Sequence, residues 1–170
     1  QGTLIGVRAV LEGFSFISTG LIIAGYYFGF LGGSIVIPSF IERVGHIRVF
    51  AALASLASIA ILLHSIFLNP IVWFLIRMLT GFCIVGIFII MESWLNNKST
   101  NATRGKLLSF YFIITFSFVG IGQLLLNLSD PEKMNLFILV SILLSLALIP
   151  ILLSISAAPE FSSPKRIGFK

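Results

Sequence analysis

The sequence predicts an all-α, polytopic membrane protein, a bundle of transmembrane helices. Three observations carry this. Apolar residues make up 58% of the 170 residues and charged residues only 10%. Mean hydropathy is +1.10. The apolar residues also fall into five long runs joined by short polar links. A soluble domain is about 45–50% apolar and about 25% charged, because it must show water a polar exterior. A bilayer lifts that requirement.

A bilayer core about 30 Å thick needs about 20 apolar residues per helix. The runs that qualify are residues 14–37, 49–68, 71–94, 107–126 and 134–155. Helix follows because lipid offers backbone groups no partner. The runs are also too long and too uniformly apolar for barrel strands, which alternate over about 10 residues. In the first run Gly25, Gly29 and Gly33 recur every fourth residue and give one smooth face for close helix approach. The second is rich in small residues, among them Ala51, Ala54, Ala57 and Ser58. The third carries Trp73 and Trp94 near its two ends, the interfacial preference of tryptophan. The fifth is bulky and uncharged, which predicts a lipid-facing helix.

The links are tight. Leu68-Asn69-Pro70 and the Ser-Asp-Pro within residues 127–133 are turn signals. Neighbouring helices are therefore antiparallel. Of the eleven Lys and Arg, eight lie on one side: Arg43, Arg48, Lys98, Arg104, Lys106, Lys165, Arg166 and Lys170. Arg8 and Lys133 lie on the other, and Arg77 is inside a run. Positive charge marks the cytoplasmic side, which places residues 39–48, 96–106 and 157–170 there and makes the chain multi-pass in a plasma (inner) membrane. The net charge of +5 is thereby a topology signal and gives no reason to expect nucleic acid. The chain starts at Gln1, reads as a fragment, and has a single cysteine, Cys83, so an internal disulfide is not expected.

No phosphate loop, metal-ligand cluster or cofactor motif is present. The candidate translocation path rests on Arg77, about 9 Å into its run at 1.5 Å per residue. A charge at that depth needs a cavity or a partner. Gln123, at similar depth in the antiparallel fourth run, is the expected hydrogen-bond partner. Tyr26 and Tyr27 lie near mid-membrane and are expected beside the path, the alternative for both being packing with a hydroxyl hydrogen bond.

The stretch from Pro38 to Arg48 resembles the signature loop between helices 2 and 3 of the major facilitator superfamily, Gly-x-Leu-Ala-Asp-Arg-x-Gly-Arg-Arg. Glu42 stands for the Asp, Arg43 for the Arg and Gly45 for the second Gly, while Pro38, His46 and Ile47 depart from the pattern. Arg77 and Gly81 are similar to the family's Arg-x-x-x-Gly of helix 4, and Arg104-Gly105 opens the next helix. The YcaD-like branch is the nearest in flavour. Val119-Gly120-Ile121-Gly122-Gln123 lacks the proline of the drug/proton antiporters.

This resemblance implies that residues 1–156 form the N-terminal half of a twelve-helix transporter, with helices 2 to 6 present and helix 1 absent. Residues 157–170 would begin the cytoplasmic central linker. It further implies secondary transport of a small solute by alternating access, with proton coupling and with the remaining half of the transporter as partner. Glu42, Arg43, Gly45, Glu92 and Arg104 would form a cytoplasmic gating network. A rival expectation is a polytopic membrane enzyme or assembly factor. Its ionisable side chains would have to converge at one depth, and Glu12, Glu92, His64 and Cys83 are scattered.

Overall fold

Long apolar helices dominate the computed structural model, which describes residues 1–131 and 133–153. The order is α1 (Gly2–Leu11), α2 (Phe16–Val44), α3 (His46–Ile66), α4 (Pro70–Lys98), α5 (Arg104–Leu124), a 3-10 turn (Leu125–Leu128), α6 (Asn135–Leu146) and α7 (Leu148–Leu152). Among the described residues, five spans are long and apolar enough to cross a membrane: α2, α3, α4, α5 with its 3-10 turn, and α6 with α7. The expected fifth run thus holds, with one break. Pro150 has no N–H to give Leu146, and its ring crowds that carbonyl, so α6 ends there and α7 restarts after Ala147. The expected tail at 157–170, with Lys165 and Arg166, lies outside the described residues.

The centre of the bundle is the contact between α2 and α4. Gly25, Gly29 and Gly33 are buried, and each faces α4, at Phe74, Met78 and Phe82 respectively. The numbers rise together, so the two helices run parallel, as alternation around α3 requires. A methyl group at Gly29 would overlap the Met78 carbonyl, and one at Gly81 would overlap the Tyr26 carbonyl. Backbone therefore rests on backbone, which is how helices gain dispersion contact when lipid removes the hydrophobic drive. Gly32 sits off this face with open space beside it.

Two features differ from expectation. Residues 2–11 add a helix that hydropathy does not flag, because ten residues are too few to span. Leu4, Ile5 and Ala9 of α1 join Ile22, Ile61, Trp73, Leu136 and Phe137 in one core. The fifth run, expected to face lipid, is exposed along Ile138, Ile142, Leu143 and Leu146 but packs its other face on α3. The Ser58 hydroxyl donates to the Ser141 carbonyl at 3.1 Å and lies 2.7 Å from the Ser141 hydroxyl and 3.0 Å from that of Ser145. Hydroxyls in an apolar medium seek one another, and those at i and i+4 on α6 meet one on α3. The peripheral helix is α5, which has no buried residue and shows Phe110, Phe112, Phe116 and Phe118 to its surroundings.

Trp73 is also not an interfacial anchor. It is fully buried, edge-on to Phe14 at 5.0 Å and to His64 at 5.5 Å. Its indole N–H donates to the Phe67 carbonyl, so it has no need of water. Trp94 is half-buried beside His46.

The α2–α3 joint is tighter than a loop. Residues 39–48 are the last turns of α2, a single non-helical residue at Gly45, and the first turn of α3. The helix continues through Pro38, since a missing backbone bond is tolerated inside a membrane helix. Gly45 has φ 91° and ψ 157°, a region open essentially to glycine alone. That conformation turns the chain back on itself within one residue.

Candidate functional site

Arg77 lies on α4 with about 5% of its surface exposed. Its guanidinium carbon stands 4.7 Å from the centre of the Tyr26 ring on α2. The parallel α2–α4 contact produces this. The Tyr26 backbone rests on Gly81, one turn further along α4, and that close approach brings the ring over Arg77. The α2 backbone fills the space beside Gly81, where a side chain would meet the Tyr26 carbonyl. Tyr26 and Tyr27 meet edge to face at 5.5 Å and 88°. The Arg77 Nε is buried and has no hydrogen-bond partner among the described residues.

On the open side of Arg77 is a cavity of about 660 Å³. Gln1, Thr3 and Val7 of α1 and its start, Ile23, Tyr26 and Tyr27 of α2, and Arg77 and Ile84 of α4 line it. Gly2 and Gly6 keep the α1 wall thin. No acidic side chain is among the lining residues. A burial-prone cation, two phenol rings and apolar walls make a surface suited to an anionic or aromatic solute, since the cation is already desolvated and its hydrogen-bonding capacity is only partly used.

Of the four residues expected on the path, three come together. Gln123 does not. It is exposed on α5 and is absent from this lining. Depth along a helix does not fix the direction a residue faces, and α5 stands at the bundle's edge.

At one end of the bundle, Arg8 pairs with Glu12 and donates to the Pro131 carbonyl at 3.3 Å. The α1–α2 turn and the α5–α6 link therefore share an end, as the charge count expects. At the other end lie Gly45 and the α4–α5 link. Glu42, Arg43, Glu92 and Arg104 are exposed there. Among the described residues, Arg43, Glu92 and Arg104 form no ion pair with one another. The link the sequence did not single out is His46. It is buried, shares a 3.1 Å hydrogen bond with Ser93 and lies 6.5 Å from the Trp94 ring. It occupies a position where the resembled motif is basic, and its ring ties the start of α3 to α4.

Fold and site together define a polytopic helical membrane protein with a cationic, tyrosine-lined cavity between its first, second and fourth helices. The chain belongs to the MFS transporters, in the family described as uncharacterised MFS-type transporter YbfB, whose model matches residues 9–164. An uncharacterised MFS-type transporter of Yersinia pestis (strain Pestoides F) is 29% identical over 136 residues, 78% of this chain and 35% of that protein. The YcaD transporter of Escherichia fergusonii is 25% identical over 146 residues, 86% of this chain and 38% of that protein. YcaD of Escherichia coli O45:K1 is 25% identical over 155 residues, 88% and 39% of the two chains. The chain thus spans little more than a third of the length of the curated relatives it matches. No solved structure matches it.

Proposed function

We propose that this chain supplies part of the first half of a secondary carrier that moves a small solute by alternating access, with the cavity at Arg77, Tyr26 and Tyr27 as its share of the path. The observation that carries the reading is a buried arginine facing a roomy cavity within a chain of a transporter family. Carrier sites lie near the bilayer midplane where helices of facing halves meet. Family membership favours a carrier over a membrane enzyme or assembly factor.

In this reading residues 1–156 belong to the N-terminal half and residues 157–170 begin the central linker. We take the five spans to be helices 2 to 6 of that half, with α1 packed in the core beside α2. The end bearing Gly45 and Lys98 is cytoplasmic, supported by the excess of Lys and Arg there. Glu42, Arg43, Glu92 and Arg104 then present charge to the cytoplasmic face of the second half and form the gate with it. The driving gradient is one of protons.

Uptake into vesicles by the full-length protein tests this. An imposed pH gradient should drive accumulation, and Arg77→Gln and Arg77→Lys should both be slow at matched expression, because a planar fork of donors is lost in each. Near-normal rates in both variants would remove Arg77 from the path. For the gate, Arg43→Ala should slow uptake without lowering membrane insertion.

A further inference from the structure

We propose that the Arg77 cavity binds the carboxylate of a small organic monocarboxylic acid whose body is aromatic or branched and apolar. This rests on the carrier reading and names its substrate class.

The argument begins with charge. Arg77 is a permanent cation, nine-tenths and more removed from solvent, with one donor unused. A buried charge of this kind is costly unless something answers it. Tyr26 answers with the face of its ring, which offsets part of the cost and leaves the donors free. The acidic side chains of the described chain are committed or remote. Glu12 is held by Arg8. Glu42 lies sixteen residues beyond Tyr26 on α2 and Glu92 fifteen beyond Arg77 on α4, roughly 24 Å and roughly 22 Å along their helices at 1.5 Å per residue. Asp130 sits in the link after the 3-10 turn, outside the cavity lining.

Charge number follows from Arg77, the one Lys or Arg side chain among the described residues that line the cavity. It balances one negative charge. A dianion would carry an unanswered charge into an apolar cavity, and a cation would be repelled outright. Shape follows from the walls. Ile23, Ile84 and Val7 are apolar, and the Tyr26–Tyr27 pair offers ring faces and edges. A planar carboxylate matches the guanidinium fork, and an aromatic or branched body matches the rest of the lining.

The experiment uses purified full-length protein and measures binding of benzoate, phenylacetate and isovalerate, each against its neutral amide, with inorganic phosphate and benzylamine as further probes. At least one carboxylate should bind, with its amide about tenfold weaker or worse, the loss expected when a charge-assisted bond goes. Phosphate and benzylamine should not compete, and Arg77→Gln should abolish the preference for acid over amide. Because that variant has a chance of misfolding, a second measurement uses the wild-type chain. Phenylglyoxal should modify Arg77, and the bound carboxylate, not its amide, should protect it.

The proposal is overturned if none of the three acids binds, if an amide or benzylamine binds as tightly as its acid, or if Arg77→Gln leaves selectivity unchanged. Carboxylate-selective, Arg77-dependent binding in a protein that moves no solute into vesicles would support the site and sink the carrier reading. Uptake of a neutral or cationic solute without carboxylate binding would do the reverse.

Discussion

The Arg77 guanidinium sits 4.7 Å from the centre of the Tyr26 ring, so α4 places its one buried cation on the aromatic face that α2 offers. The contact is partly desolvated, where such pairs are worth about 1–2 kcal/mol. Replacing Tyr26 by Leu removes the ring and should lower the stability or transport rate of the full-length protein by that amount, roughly five- to thirtyfold. Tyr26→Phe keeps the face and should stay within about threefold of wild type. If Phe and Leu were equally damaging, the hydroxyl would be the important group and the ring contact incidental.

The α2–α4 contact predicts a sharp difference between glycines on the same helix pair. A methyl group at Gly81 would meet the Tyr26 carbonyl, and backbone there has no room to yield. Gly81→Ala should therefore lower thermal stability by about 1–3 kcal/mol, the usual cost of overpacking. It should also move Tyr26 off Arg77. Gly32→Ala meets open space and should be neutral. Thermal unfolding of both variants in detergent checks this, and equal stability of the two would argue against the packing described.

Much of the fold was legible because solvent dictates it. The five runs follow from hydropathy, and the Gly25-Gly29-Gly33 face follows from spacing. The pairing of Arg8 and Pro131 at one end agrees with the antiparallel order read from short links. What escaped was direction around each helix axis. Gln123 has the right depth for Arg77 but faces away, and Trp73 sits at a helix end yet turns inward. Ser141 and Ser145 point at α3 although composition marks their run as lipid-facing. Helix α1 escaped for a different reason. Its ten residues are too short for a hydropathy signal, and its burial comes from tertiary packing. Depth and charge single out Arg77 and both tyrosines, which the structure brings to one cavity, whereas His46 reads in the sequence only as a departure from a basic motif.

Orientation predicts an accessibility pattern. Lys98 ends α4 at the end that carries the excess of basic residues, and Lys133 lies in the link at the opposite end. An impermeant thiol reagent added to intact cells should label Lys133→Cys and leave Lys98→Cys unlabelled until the membrane is opened. The native Cys83 is buried and should stay silent in both. Strong labelling at position 98 from outside would invert the topology.

The last prediction concerns Gly45, the whole of the connection between α2 and α3. Nothing lies within 4 Å of where its side chain would point, so space does not forbid a larger residue. The backbone does. At φ 91° and ψ 157° any Cβ is strained, at a cost of about 1–3 kcal/mol. Relaxing that strain means reopening the joint, which would pull His46 from Ser93 and Trp94 and loosen the start of α3 from α4. Gly45→Ala should therefore lower thermal stability within that range and expose the joint to protease. Gly105→Ala is the matched control: that glycine is in the first turn of α5, has ordinary helical backbone and likewise has open space beside it. It should be tolerated. Equal behaviour of the two alanines would mean the joint does not need the conformation that sets Gly45 apart. A stable Gly45→Ala protein with an intact joint would further mean that α3 keeps its place through His46 and its buried neighbours, with the turn free to take another path.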